Sequence, residues 1–397
     1  MISLFGHGTT TKALAKKIAP CQIFDDHFST CSKDEQGNLL LPPSHFDANK
    51  SSLEIPSPGF PPHHQLITKA QNLISEYDYF CDIMPTSVWI TGTNGKTTTT
   101  QMLQHLLHFC GGIAGGNIGE PLANLDTQAT FWLLETSSFT LHYTQKAVPN
   151  IFVILPIKED HLSWHGDFVA YESAKLSPLS RMNEGSVVIL PEIYSTYQTK
   201  AYKITYKNEQ DLAQKMHIDL LHVNFSRPFL LDALLALSVQ KILYDTFDYQ
   251  LLNSFQTDAY KLEEFYDSVG RLWVDDTKAT NVDATLEALK RYEDREILLI
   301  LGGDDKGVSL DPLFVAMQGL HVKIFAIGSN TQKIVDLAQK ISKEVHACFE
   351  LSQAVTLMKT MHTRNTIALL SPAAASLDQF SSYKERGDSF KAFAKVH

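Results

Sequence analysis

The sequence predicts an α/β fold in three domains, each built on a mostly parallel sheet. Three observations carry this. Apolar runs of strand length alternate with helical patterns along most of the chain, and such alternation builds parallel sheets. Polar, often glycine-rich turns follow those strands, where open α/β sheets bind ligands. The 397 residues are enough for two or three separate cores.

Residues 1–85 form the first expected domain. Ile2–Phe5 reads as a strand, and Gly6-His7-Gly8-Thr9-Thr10-Thr11 as a turn into a helix over Lys12–Ile18. Gln22–Phe24 is a second strand, ending at Asp25-Asp26. This is a Rossmann-like βαβ start in which Thr11 replaces the third glycine; a purely structural βα turn accounts for the local pattern equally well. Residues 27–65 are rich in Pro, Ser, Asn and His and read as loops with short strands. Ser57-Pro58-Gly59 marks a turn at a strand end.

The second domain, 86–259, opens on a strand at Val88-Trp89-Ile90. Gly92-Thr93-Asn94-Gly95-Lys96-Thr97-Thr98 follows, with a helix expected over Thr98–Phe109. Strand, glycine turn, Lys-Thr and helix make a phosphate cradle of the P-loop ATPase kind. Backbone N–H groups close on phosphate oxygens, Lys96 supplies a full charge, and Thr97 is a magnesium ligand by chemistry. The usual first glycine is replaced by Ile90, so the loop is a variant. Downstream, Gly115–Leu122 is a loop with backbone freedom, and Thr130–Leu134 a buried strand delivering Glu135. Ile151–Leu155 leads into Asp160-His161. Asp167 caps a helix that carries Tyr171 and Lys175 on one face. Ser186–Leu190 adds a strand, residues 191–220 have no clear pattern, and Phe229–Tyr244 is a long apolar helix.

The third domain, 260–397, repeats the alternation. Strands at Leu272–Val274, Glu296–Leu301, Val322–Ile327 and Thr366–Leu370 end in polar turns, with a helix over Val282–Tyr292 after the first. Those turns hold Asp276-Thr277-Lys278-Ala279-Thr280-Asn281, Gly302–Gly307 with Lys306, and Ser371–Ser376.

Composition limits the class. Hydrophobic content is 44% and net charge −10, so a nucleic-acid surface is not expected. The five cysteines are scattered without a C-x-x-C pair, which fits a reducing cytoplasm. No apolar run is long enough for a membrane span, and Met1–Phe5 reads as a strand rather than a signal peptide.

Lys96/Thr97, Glu135 and Asp160/His161 with Lys175 are polar clusters after strands of one domain. Glu135 and His161 are reasonable magnesium ligands beside a phosphate loop. With GTNGKTTT, the Asn117 loop, Glu135-Thr136-Ser137-Ser138-Phe139 and the Asp276–Asn281 run, these residues resemble the Mur ligases of peptidoglycan synthesis. The segments Ser371–Phe380 and Glu385–Phe390 are the most discriminating, and they are most similar to the members that add D-glutamate. The resemblance spans about residues 90–390.

That resemblance implies an ATP-dependent ligase working through an acyl phosphate on UDP-N-acetylmuramoyl-L-alanine, with two magnesium ions, in a cytoplasmic monomer. The first domain would hold the uridine diphosphate through the Gly8–Thr11 turn, with Thr9 and Thr10, and through Asp25 and Asp26. Gly92, Thr93, Asn94, Gly95, Lys96, Thr97 and Thr98 would bind ATP, with Lys261 and Asp276, the latter at the ribose. Thr97, Glu135, His161 and Lys175 would hold metal, Lys175 as a carbamate. Lys96, His161, Lys175 and Lys278 would be catalytic. Asn117, Ser137, Thr280, Lys306, Ser376 and Tyr383 would meet the substrates. The chain departs from the family pattern at Tyr260-Lys261, where a His-Arg pair is usual, at Ser226–Leu231, which lacks the adenine-reading asparagines, and at Tyr383, usually phenylalanine. A folate-glutamating ligase and a silent nucleotide-binding regulator are the competing classes. The short first domain and the C-terminal motif oppose the former; retention of Lys96, Glu135, His161, Lys175 and Lys278 opposes the latter.

Overall fold

Three mostly parallel sheets organise the chain. The computed structural model describes residues 1–395. The first sheet has the spatial order Ser32–Lys33, Leu39–Leu41, Gln22–Phe24, Ile2–Phe5, Leu53–Pro56, with only the outer pair antiparallel. The second runs Tyr202–Tyr206, Val187–Pro191, Ile151–Ile154, Thr86–Thr91, Phe131–Glu135, Gly112–Gly116, all parallel. The third runs Glu263–Tyr266, Leu272–Asp275, Thr366–Leu370, Glu296–Leu301, Val322–Ile327, Val345–Phe349. Its first strand alone is antiparallel.

The chain divides into two compact units. The first two sheets share one, made of Met1–Ile157, Trp164–Phe225 and Phe229–Phe255. The third sheet belongs to the other, which also takes Lys158–Ser163, Ser226–Pro228 and the chain from Gln256 onward.

Central strands read as continuous apolar runs because helices cover both sheet faces. Val88, Trp89 and Ile90 are fully buried, as are Ile297–Leu301. Phe229–Tyr244 forms one helix with the expected bounds, buried along most of its length against the helix Lys96–Leu107. The edge elements escaped the sequence reading. Tyr202–Tyr206 is mostly half-buried and Glu263–Tyr266 alternates half-buried with exposed residues, and neither shows a long apolar run. The helix Glu209–Met216 fills part of the stretch with no clear pattern.

One register relationship positions the site. Thr86–Thr91 lies between Phe131–Glu135 and Ile151–Ile154, with Ile90 beside both Glu135 and Val153. Glu135 therefore arrives at the edge of the sheet where the glycine turn begins.

Candidate functional site

The glycine turn is built by close packing. Gly92 has φ +145°, and a Cβ there would lie 2.5 Å from Leu155 Cβ. Gly95 has φ +84° and would place a Cβ 2.3 Å from Asp232 Oδ1. Only glycine fits either position. Gly95 leads directly into Lys96–Leu107, so the helix starts two residues earlier than expected. Thr91 and Thr93 are buried while Asn94–Thr97 are half-buried, so the crest of the turn reaches solvent. Thr98 is buried behind it, and Thr99 Oγ1 donates to Asp232 Oδ1 at 3.1 Å.

Beside the crest, Glu135 is shared. Its Oε2 accepts from Thr97 Oγ1 at 2.8 Å and its Oε1 from Asn117 Nδ2 at 2.8 Å. Asn117 N also donates to Glu135 O at 2.8 Å, which pins its loop to the strand end. Thr97 and Glu135, expected at the metal, and Asn117, expected at the substrate, are thus one hydrogen-bonded group.

Two lysines hold the backbone of the turn. Lys96 Nζ donates to Thr93 O at 2.8 Å. Lys175, 1% exposed, donates from Nζ to Gly92 O at 2.7 Å and lies over the Tyr171 ring at 4.8 Å. Tyr171 Oη is 3.1 Å from Thr93 Oγ1. Asp167 caps this helix as expected, accepting from Ala170 N at 2.8 Å.

The first unit also contains a cavity of about 210 Å³, lined by Thr9, Thr10, Pro58, Glu76, Asn117 and Thr140 among others. Ser137 does not line it; its Oγ caps the helix Ser138–Tyr143, accepting from Thr140 N at 3.0 Å. Of the two expected aspartates, Asp25 is the one folded into the first turn, accepting from His7 N at 2.6 Å. Asp26 is exposed, 3.3 Å from His64 Nε2.

In the second unit, Asp160 is the hub. Its carboxylate faces Lys306 Nζ at 3.3 Å and Asn281 Nδ2 at 3.5 Å. Burial pushes that carboxyl up, but Lys306 and His161 outweigh it and hold it below the usual range. His161 has φ +55° and Nε2 3.7 Å from Asp160 Oδ2. The sequence reading grouped Asp160 and His161 with Glu135; the fold groups their segment with Lys306 and Asn281. Lys278 Nζ lies 3.7 Å from Asp258, a residue the sequence reading did not single out. Thr280 N donates to Lys278 O at 2.9 Å. Ser376 is buried, and its carbonyl accepts from Gln379 and Phe380 N. Tyr383 O accepts from Thr277 Oγ1 at 3.2 Å, and its ring meets Tyr260 edge-on at 6.1 Å. Asp276, expected at a ribose, is instead an internal tie. It is 4% exposed, with Oδ2 taking Ser371 Oγ at 2.7 Å and Oδ1 taking Leu262 N at 3.2 Å. Burial pushes its carboxyl up to about 7. Lys261, half-buried, immediately precedes Leu262, whose N–H is bonded to Asp276.

The donor set suits phosphate-bound magnesium. That ion takes one or two carboxylates and completes its shell with water and phosphate oxygens. Thr97 Oγ1 and Glu135 Oε2 are hard oxygen donors already side by side. Among the described residues no three His, Cys, Asp or Glu side chains converge as a closed metal cage.

Comparison with known proteins follows the same lines. Residues 90–226 match the Mur ligase middle domain. The chain is 58% identical to the UDP-N-acetylmuramoylalanine–D-glutamate ligase of Campylobacter jejuni, over 98% of each chain. It is 46% identical to the ligase of the same name from Helicobacter pylori, over 99% of each. Among solved structures, the MurF ligase of Thermotoga maritima in complex with ADP is similar at a TM-score of 0.58. The identity is 15%, covering 87% of this chain and 88% of that one, a likeness of fold.

Proposed function

The chain belongs to the Mur ligase family, in the branch that adds D-glutamate, and on that footing we propose how its residues carry out the ligation. The protein is an ATP-dependent ligase that joins D-glutamate to UDP-N-acetylmuramoyl-L-alanine in peptidoglycan synthesis.

In this reading three domains divide the work, with bounds 1–85, 86–259 and 260–397, one for each sheet. The turn Gly92–Thr98 takes the ATP phosphates, through its backbone N–H groups and the N-terminal end of Lys96–Leu107. Lys96 exchanges Thr93 O for a phosphate oxygen. Thr97 and Glu135 would hold magnesium, which would supply positive charge where an anionic carboxylate meets an anionic phosphate. Lys175, as a carbamate, would supply a further oxygen ligand. Lys261 adds positive charge for ATP, and Asp276 fixes the strand end beneath it.

The cavity at Thr9, Thr10 and Asn117 takes the nucleotide-sugar acceptor. Lys278, Thr280, Lys306, Ser376 and Tyr383 form the D-glutamate side, with His161 and Asp160 at its border. An oxygen of the alanyl carboxylate attacks the γ-phosphorus. The bond from phosphorus to the bridging oxygen breaks, ADP leaves and an acyl phosphate remains. The neutral amine of D-glutamate attacks the acyl carbon, the bond from that carbon to the phosphate oxygen breaks, phosphate leaves with the proton the amine gives up, and an amide forms. Lysines around both anions are needed, because like charges in a low-dielectric cleft repel strongly.

We place the reaction in the cytoplasm, in a monomer. The five cysteines are all free, as a reducing compartment requires. No helix among the described residues is long and apolar enough to cross a membrane. The observation that carries the mechanism is Glu135 shared between Thr97 and Asn117 at the mouth of the glycine turn. Its test is ADP release with each substrate omitted in turn. Release requiring both D-glutamate and the UDP-linked acceptor supports the reading; release with ATP alone overturns it.

A further inference from the structure

Two side chains outside the expected site hold one wall of the acceptor cavity. The strand Leu53–Pro56 ends in Ser57-Pro58-Gly59-Phe60, and Pro58 lines the cavity with Thr9, Thr10, Asn117 and Thr140. The base of this turn is tied to the first sheet, where Ser57 N donates to Phe5 O at 2.7 Å. Its tip is tied to the second sheet's layer. Tyr143 Oη donates to Phe60 O at 2.6 Å, and Trp164 Nε1 donates to Gly59 O at 3.1 Å.

The two donors are themselves held in place. Their rings meet edge-on at 6.2 Å, and Trp164 packs against Phe139 at 4.8 Å and His142 at 5.1 Å. His165 stacks on Phe139 at 5.7 Å with its Nε2 3.0 Å from Ser138 Oγ. Burial pushes the Tyr143 hydroxyl up, so it remains a donor at neutral pH. The helix Ser138–Tyr143 thus gives the cavity Thr140 and, less than a turn later, gives the Pro58 turn its anchor.

We propose that Tyr143 and Trp164 are positioning residues for the nucleotide-sugar acceptor. They lock Ser57–Phe60 so that Pro58 stands as a preformed wall before the acceptor arrives. The proposal rests on the acceptor occupying this cavity. Neither residue touches a reacting atom. Loss of one anchor lets the turn sample positions that do not bind, and apparent affinity falls by the fraction of time spent there.

The experiment uses the full chain and varies each of the three substrates. Tyr143→Phe and Trp164→Phe keep a ring and delete the donor. One lost neutral hydrogen bond should raise KM for UDP-N-acetylmuramoyl-L-alanine about fivefold in each variant, and further in the double variant. KM for ATP and D-glutamate, and kcat, should hold at wild-type values. Thr10→Trp, which fills the cavity, runs alongside and should abolish acceptor binding. If Thr10→Trp abolishes binding while both phenylalanine variants match wild type, the clamp is overturned and the cavity assignment stands. If Thr10→Trp leaves the acceptor KM unchanged, the cavity assignment falls and the clamp with it. A loss confined to kcat, or a KM rise for all three substrates, marks general loosening and also overturns the proposal.

Discussion

Thr97 Oγ1 donates to Glu135 Oε2 at 2.8 Å, joining the first helical turn after the glycine loop to the end of the neighbouring strand. The pairing gives Glu135→Gln a sharp expectation. Glutamine keeps the size and one acceptor but removes the charge and turns the other oxygen into a donor. With Thr97 and Asn117 both donating, one of them loses its acceptor. ADP release should fall about 100-fold or more, and half-saturation should need more magnesium. A magnesium titration under turnover checks it; a wild-type magnesium dependence refutes it.

Lys175 gives a second prediction. Lys175→Ala removes a buried nitrogen bonded to Gly92 O. Ligation should be abolished, and formate or acetate should restore part of it if the missing group is a carbamate carboxylate. Activity measured across a carboxylate series decides this. Full activity of the variant without additive takes Lys175 out of the mechanism.

Residues legible in sequence were those whose signal is local. The strand, glycine turn and helix from 86 to 107, Glu135 at a strand end and the Asp167 cap all depend on near neighbours. Asn281 was readable the same way, since it caps the helix Val282–Arg291 by accepting from Ala284 N. The rest needed long-range contacts. Asp232 meets Gly95 and Thr99 across more than a hundred residues, and Trp164 meets Gly59 across a similar span. Asp25 and Asp26 look equivalent in sequence, and only the path of the first turn separates them. The antiparallel strand Glu263–Tyr266 alternates partly buried with exposed residues and contains two glutamates, so it carries no apolar run to read.

Two buried groups make stability depend on pH in opposite senses. Glu76, 6% exposed, accepts from Ala123 N at 3.2 Å, and burial pushes its carboxyl up to about 7. The native state then binds more protons than the unfolded state between about 4.5 and 7, so stability falls as pH rises through that window. Glu76→Gln removes this slope, and from the acid to the neutral end it should gain about 3 kcal/mol over wild type. His362 runs the other way. Burial lowers it to about 4, so the unfolded state takes up more protons between 6.5 and 4, and stability falls as pH falls. The two slopes oppose each other from about 4.5 to 6.5, so His362→Gln, with Glu76 in place, should lose stability more steeply than wild type as pH rises through that window. Equilibrium unfolding of each variant across pH 4 to 8 measures both slopes (a range set by the ordinary Glu and His values); curves parallel to wild type refute them.

Arg386 is the strongest structural test in the second unit. It is 1% exposed and sits in the motif Glu385–Phe390. Its Nε donates to Thr277 Oγ1 at 2.8 Å and its Nη2 to Thr277 O at 2.9 Å and Ala374 O at 3.1 Å, while Nη1 reaches Ala375 O at 3.3 Å. One guanidinium therefore joins the turn carrying Lys278 to the turn carrying Ser376. Arg386→Ala leaves three carbonyls without that donor and should cost about 3–5 kcal/mol. Arg386→Lys should rescue little, because a single ammonium cannot span the fork that the planar group spans. If the two turns form the D-glutamate side, Arg386→Lys should also raise KM for D-glutamate more than KM for ATP. Denaturant unfolding and substrate-by-substrate kinetics on the lysine variant measure the two effects, and wild-type values in both would show that the two turns hold their places without the guanidinium.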